Sequence, residues 1–374
     1  MEFDYERRWK ELIERAQAKD VDAILILNEA NCFYLTGALE PSFPSRWSAL
    51  IVSLKEPTRR VLIVPELEEY EALDKLRVRD LEIEVVRRGE RGLERVKRVL
   101  KEIKPRILGV EGSITKKSIE EIAREVLPKS RIMENIKDIG DILSDLRKIK
   151  EEAEIHAIKE ATRVAIEALE EVLSEIKAGM REAEVAAALV SKILERGAKI
   201  AFEPIVASGP RAAYPHGGYS RRKIRKGEVV LIDVGARVHG YCSDITRALL
   251  VGEVPSEIKR SVEAVERALE AGIKSVREGV EACKPDMQAR ELLSREGLGK
   301  YFIHNLGHGV GVEVHEGPRI GPGSKEVLRG RMVVTIEPGI YIKDKAGVRI
   351  EELVLVTESG CEILSRGIER VIRV

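Results

Sequence analysis

The 374-residue sequence predicts an α+β protein with a smaller α/β domain in front and a larger domain whose strands carry the chemistry. Three observations predict it. Residues 1–130 alternate strand-like and helix-like segments, long amphipathic helices follow from about Lys150, and β-rich blocks lie at 226–251 and 331–357.

Taken in order, Glu6 to Lys19 reads as a short helix and Ala23–Leu27 (AILIL) as a buried strand. Ser48–Leu54 and Arg60–Pro65 predict a strand pair joined by a KEPT turn. LERVKRVLKEI (93–103) predicts a helix ahead of the strand ILGVE. These place the first domain at 1–135. Residues 136–149 read as a linker, and 150–374 as the larger domain. There Ile155, Ile158, Thr162, Ala165, Leu169, Val172 and Ile176 recur at three- and four-residue steps, one face of a helix that Gly179 stops. A second helix covers roughly 181–196 and stops at Gly197. A third starts after Pro255–Ser256, with Ile258, Val262, Val265, Leu269, Ile273 and Val276 on one face and Gly279 as its stop. A helix pair followed by an acidic strand pair occurs twice, which predicts two similar halves giving two carboxylates each.

Composition narrows the function. Lys+Arg and Asp+Glu both count 64, so net charge gives no footprint for nucleic acid or an acidic membrane. The basic run 221–226 (RRKIRK) reads as a solvated turn before a strand rather than a nucleic-acid patch. The N-terminus is charged and lacks a signal-peptide core, and no apolar stretch is long enough to span a membrane. Cys32, Cys242, Cys283 and Cys361 show no paired spacing, which predicts free thiols in the cytoplasm. Charged residues at 34% exceed the usual quarter, which leans towards a heat-adapted surface rich in ion pairs.

Five residues carry the chemistry, each in its own string: Asp233 in VVLIDVG, Asp244 in GYCSDITR, His308 in NLGHGVG, Glu337 in VTIEPGIY and Glu351 in GVRIEE. An acidic side chain in an apolar strand costs several kcal/mol unless it is paired, protonated or bound to metal. Four converging carboxylates repel, and two divalent cations carry the four charges that offset them. Strands about 4.8 Å apart let facing side chains grip one ion. Carboxylates with one imidazole suit hard or borderline cations. GHGVG (307–311) lacks the dinucleotide spacing, and VHEGP (314–318) is not H-E-x-x-H, since position 319 is Arg.

These strings resemble the pita-bread metallopeptidases, the superfamily of methionine aminopeptidase, prolidase and aminopeptidase P. The resemblance covers about 140–365 in detail. It implies a C-terminal pita-bread (creatinase/aminopeptidase-like) domain, and residues 1–130 look more loosely like the extra domain of the Xaa-Pro branch. By resemblance Asp233 chelates one metal, His308 and Glu337 hold the other, and Asp244 and Glu351 bridge both. SGPRAAYPHGG (208–218) and FIHNLGHGVGVEVHEGP (302–318) are similar to the Xaa-Pro branch and place His216, His304 and His315 around the substrate. Arg349 matches the arginine beside the last ligand; an ion pair with Glu337 or Glu351 is the plainer reading. His156 reads as a helix-surface residue and His239 as a turn residue.

The resemblance implies a metal-dependent exopeptidase cleaving the bond before a proline at the second position of dipeptides or short peptides. Glu337 would shuttle the proton, His315 or His216 would stabilise the oxyanion, and His304, Tyr214 and Val312 would shape the proline pocket. The expected metals are Mn²⁺ or Co²⁺, then Fe²⁺ or Zn²⁺. A homodimer is expected, and the loop 40–47 (EPSFPSRW) reads as either a lid over a site or a rigid turn. Aminopeptidase P on longer peptides, methionine aminopeptidase, a metal-free creatinase-like enzyme and a non-catalytic peptide-binding module are the rivals. The 130-residue extension and the PHGG and GVRIEE contexts lean away from methionine aminopeptidase. The retained ligands disfavour the last two.

Overall fold

Apolar β-branched runs in the front third pair into one six-stranded sheet. The computed structural model describes residues 2–41, 46–55, 58–112, 114–128 and 132–374. It divides into two compact units, Met1–Arg147 and Lys148–Val374.

In the first unit, β1 (Ala23–Ile26), β2 (Ala49–Ser53), β3 (Arg59–Pro65), β4 (Leu81–Val86), β5 (Leu108–Val110) and β6 (Ile136–Asp138) lie in the order β4-β3-β2-β1-β5-β6. The pairs β1–β2 and β2–β3 are antiparallel and the others parallel. Among the described residues six helices accompany the strands: α1 (Tyr5–Gln17), α2 (Glu29–Thr36), α3 (Glu69–Lys75), α4 (Gly92–Ile103), α5 (Lys116–Val126) and α6 (Gly140–Lys148). Val96, Val99 and Leu100 of α4 pack on Leu25, Ile51 and Ile63 of the sheet. The segment expected as a linker, 136–149, is instead strand and helix. Ile136 pairs with Leu108, and Ile142 and Leu143 of α6 are buried. A three-residue strand has too few side chains to announce itself by alternation. Residues 42–45 of the loop at 40–47, and 56–57 of the KEPT turn, lie outside the described residues.

The second unit repeats one plan twice. Its first half holds α7 (Glu152–Leu173), α8 (Glu182–Glu195), β7 (Lys199–Ile200), β8 (Ile205–Ser208), β9 (Glu228–Val234), β10 (Ala236–Val238), β11 (Tyr241–Cys242) and β12 (Ile245–Val251). Its second half holds α9 (Ser256–Lys274), α10 (Cys283–Arg295), β13 (Gly307–Gly309), β14 (Glu316–Ile320), β15 (Val333–Ile336), β16 (Gly339–Ile342), β17 (Ala346–Arg349) and β18 (Glu352–Val356). Strands β19 (Cys361–Ile363) and β20 (Val371–Arg373) follow. The sheets run β20-β12-β9-β8 and β14-β13-β15-β18-β19. Gly179 and Gly279, both at positive φ, donate to the carbonyls of Ile224 and Leu328, one matching turn per half.

Each sheet packs on its own helix pair. Val230, Ile232 and Leu249 meet Leu169, Val172 and Leu189 in the first half. Val334, Ile336 and Val354 meet Val265, Leu269 and Leu293 in the second. Truncating a leucine in such a core costs about 2–5 kcal/mol. The predicted apolar faces are the buried ones, although α7 and α9 stop at Leu173 and Lys274, a turn short of their expected glycines. Arg222 of the basic run pairs with Glu228 at the start of β9. His156 is exposed on α7, and His239 occupies the β10–β11 turn at φ 51°. Among the described residues no helix is long and apolar enough to cross a membrane.

Candidate metal centre

Register brings the acidic side chains together. Strands β9 and β12 are antiparallel with Asp233 opposite Thr246, so Asp233 is the last residue but one of one strand and Asp244 directly precedes the other. The β10–β11 hairpin fills the interval. The second half repeats this: β15 and β18 pair with Ile336 opposite Glu352, and the β16–β17 hairpin lies between. Glu337 therefore follows β15 and Glu351 precedes β18. His308 sits in β13, flanked by two glycines that permit close backbone approach. A Cβ on Gly307 would lie 1.9 Å from the Thr335 carbonyl oxygen, and one on Gly309 1.9 Å from that of Gly317.

The ligating atoms fall into three groups, each mutually within 4.8 Å: Asp233, Asp244 and Glu351; His308, Glu337 and Glu351; and Asp244, His308 and His315. The first two share Glu351. Asp233 Oδ1 is buried and accepts no hydrogen bond among the described residues. An orphaned anionic oxygen facing two further carboxylates is a position that a cation satisfies. Burial, then the charges of Glu351 and Asp233, pushes the Asp244 carboxyl well above the usual range. Burial with the Glu337 and Asp233 charges does the same to Glu351. Glu337 is held low, because the hydrogen bond and charge of His308 outweigh its burial.

Neighbouring donors orient these groups. His308 Nδ1 donates to the Gly309 carbonyl at 3.1 Å, which points Nε2 at Asp244 and Glu337, 3.6 and 3.3 Å away. Thr246 Oγ1 donates to Glu351 at 2.8 Å, and Thr335 Oγ1 to Glu337 at 3.3 Å. Arg349 is buried, and its principal ion pair is with Asp233 at 2.5 Å; Glu337 is 4.0 Å off and Glu351 is not its partner. The reason is directional. Arg349 ends β17 and its side chain crosses towards β9. Arg349 Nη1 donates to Tyr341 Oη at 2.9 Å, whose hydroxyl donates to His304 Nε2 at 2.9 Å, since His304 Nδ1 donates to the Asn305 carbonyl.

All five residues line one cavity of about 420 Å³ together with His216, His304, His315, Arg319 and Arg349. Its apolar wall is Phe202, Ile205, Pro215 and Val314. Tyr214 and Val312, expected in that wall, are not in it: Tyr214 is exposed to solvent, and Val312 is buried away from the cavity lining. Sequence reasoning also passed over Tyr341 and Arg319. Arg319 donates to the Asn305 side-chain oxygen and the Pro322 carbonyl, and no ion pair involves it among the described residues. Burial holds the imidazoles of His304 and His315 below their ordinary value, which leaves both neutral.

A hard, oxygen-rich cage with one imidazole and an attached peptide-sized cavity defines a metal-dependent hydrolase on a mixed-sheet fold. The chain belongs to metallopeptidase family M24, whose pattern matches residues 156–358, and a creatinase/prolidase N-terminal domain matches residues 8–149. It is 37% identical over 358 residues to the Xaa-Pro dipeptidase of Pyrococcus horikoshii, with 96% of each chain covered. Among solved structures it is similar to a prolidase from Thermococcus sibiricus, with TM-score 0.90, 34% identity and 100% of each chain covered. It is likewise similar to an X-Pro aminopeptidase from Thermotoga maritima, with TM-score 0.86, 34% identity and 99% of each chain covered. The second unit is thus a pita-bread domain preceded by a creatinase-like α/β domain, and the protein is a peptidase that works with divalent metal ions.

Proposed function

We propose that the chain is a dinuclear-metal exopeptidase that hydrolyses Xaa-Pro dipeptides. The observation that carries the reading is the pair of ligand groups sharing Glu351, with Asp233 Oδ1 of the first left without a hydrogen bond among the described residues. Asp233 would hold one ion, His308 and Glu337 the other, and Asp244 and Glu351 both. Bound divalent ions supply an acidified water and polarise the substrate carbonyl. The remaining work belongs to the protein. Glu337 accepts the proton of the attacking water and passes it to the leaving nitrogen. His315 and His216 line the cavity, and an imidazole N–H from either would donate to the developing oxyanion. Phe202, Ile205, Pro215 and Val314 offer an apolar wall for the pyrrolidine ring, beside His304. The proline nitrogen carries no hydrogen in the substrate, so the site needs no acceptor there.

Arg319 favours a dipeptidase over an aminopeptidase acting on longer chains. It is a cation at the cavity with no carboxylate partner among the described residues, and the terminal carboxylate of a dipeptide is the group such a cation would bind. Mn²⁺ or Co²⁺ suits the oxygen-rich set better than Fe²⁺ or Zn²⁺. A homodimer belongs to the proposal, since Leu67, Tyr70 and Leu73 expose apolar side chains on the first unit. So does the cytoplasm, given four unbridged cysteines. Hydrolysis of Ala-Pro, Ala-Pro-Ala and Met-Ala-Ser with Mn²⁺ or Co²⁺ tests the reading: Ala-Pro should be preferred. Preference for Ala-Pro-Ala would make it an aminopeptidase, and cleavage of Met-Ala-Ser alone would overturn the Xaa-Pro assignment.

A further inference from the structure

Glu182, the first residue of α8, is fully buried, yet no ligand group includes it. Its carboxylate accepts from the Ser208 backbone N–H at 2.8 Å, Ser208 Oγ at 2.7 Å and Ser220 Oγ at 2.6 Å. It also accepts from Arg211 Nη1, an ion pair. Four donors from one segment on one buried carboxylate cinch the two ends of 208–220 together. That segment carries His216 into the cavity and has almost no strand pairing of its own.

The same arginine reaches further. Arg211 Nη2 donates to the Gly217 carbonyl at 2.5 Å, one residue past His216. On the other side, Arg349 Nη1 donates to the Pro215 carbonyl at 3.2 Å while its Nη2 pairs with Asp233. The backbone on both sides of His216 is therefore clamped by an arginine, one anchored on the ligand Asp233 and one on Glu182. His216 itself is exposed, so its own packing does not fix it.

We infer that the Glu182–Arg211 pair is a positioning device for His216, setting the height of its imidazole over the cavity without touching substrate or metal. This rests on the reading that His216 faces the substrate. Displacement of a catalytic donor by about 1 Å costs on the order of a hundredfold in rate. Without Arg211, the Gly217 carbonyl is released and Glu182 keeps only neutral donors, whereas the metal cage keeps every contact.

The test combines Arg211→Met, Arg211→Lys, His216→Gln and the double variant R211M/H216Q in the full chain loaded with Zn²⁺. With six histidines in the chain, ring NMR signals are resolvable, and the His216 signal is identified by its loss in H216Q. In R211M the His216 signal should shift or broaden while those of His304, His308 and His315 stay. Mn²⁺ affinity by calorimetry should be unchanged, and kcat on Ala-Pro should fall about tenfold to a hundredfold. That loss should vanish in the H216Q background. R211K keeps a cation on Glu182 but cannot span to Gly217, so it should fold like the parent and still move the His216 signal. An unmoved His216 signal in both Arg211 variants overturns the inference, as does a loss that adds fully to that of H216Q. If the parent chain cleaves no Xaa-Pro peptide, the dipeptidase reading fails, and the NMR comparison still decides the role of Arg211.

Discussion

Arg349 Nη2 and Asp233 Oδ2 lie 2.5 Å apart, both residues buried, with one joining β17 to the other at the end of β9. The pair ties the second half of the catalytic unit to the first. Burial pushes the Asp233 carboxyl upward and the Arg349 charge pulls it back. Removing one member of a buried ion pair costs about 3–5 kcal/mol. Arg349→Met should therefore lower the unfolding free energy of the metal-free protein by that order in urea titrations. Mn²⁺ should recover part of the loss, because a cation compensates Asp233.

Glu337→Gln keeps the shape of the side chain and removes its base. Turnover of Ala-Pro should fall at least about a hundredfold to ten-thousandfold, the range for a positioned general base. One of the metal-binding events in calorimetry should weaken with it. A near-normal kcat at saturating Mn²⁺ would take Glu337 out of the proton transfer.

Arg319→Met tests recognition of the substrate's free carboxylate. KM for Ala-Pro should rise about tenfold, a loss of about 1.4 kcal/mol. The neutral analogue Ala-Pro-amide should show no comparable change. Equal losses on the two substrates would assign Arg319 to holding the Asn305 loop.

Chelation should leave a pH-dependent weakness. Asp244 and Glu351 keep their protons above the usual carboxylate range in the folded, metal-free chain. Their folded pKa values exceed the unfolded ones, so this contribution to stability is full below the unfolded values. It is lost as pH rises through the folded ones. Thermal melts in excess chelator should thus lose stability from about pH 4 upward relative to the Mn²⁺ form. A gap between the two forms that does not widen with pH would contradict the crowding of charge at this site.

Much of this was legible in the sequence because each of the four acidic ligands proposed sits at or beside the end of an apolar strand, where a carboxylate stands out. The α7, α8 and α9 faces were legible for the same reason, being long and periodic. Helix α10 was not. Pro285 and the buried Asp286 interrupt its pattern, and Asp286 is there to hold Arg290 and the Leu306 amide. The apolar wall was misread because Tyr214, Val312, Phe202 and Val314 all lie outside the strands, where no alternation tells which side chain faces the cavity. Tyr341 escaped notice since its role exists only through Arg349 and His304, eight and thirty-seven positions away.

The duplicated plan has a mechanical consequence. Each half-repeat brings two of the four acids and is sealed by its own helices, so a cation held by both, as proposed, would work as a rivet through a seam. Drawing it out should loosen the seam from both sides, exposing amides to solvent exchange at the ends of β9 and β15 before the rest of the chain gives way.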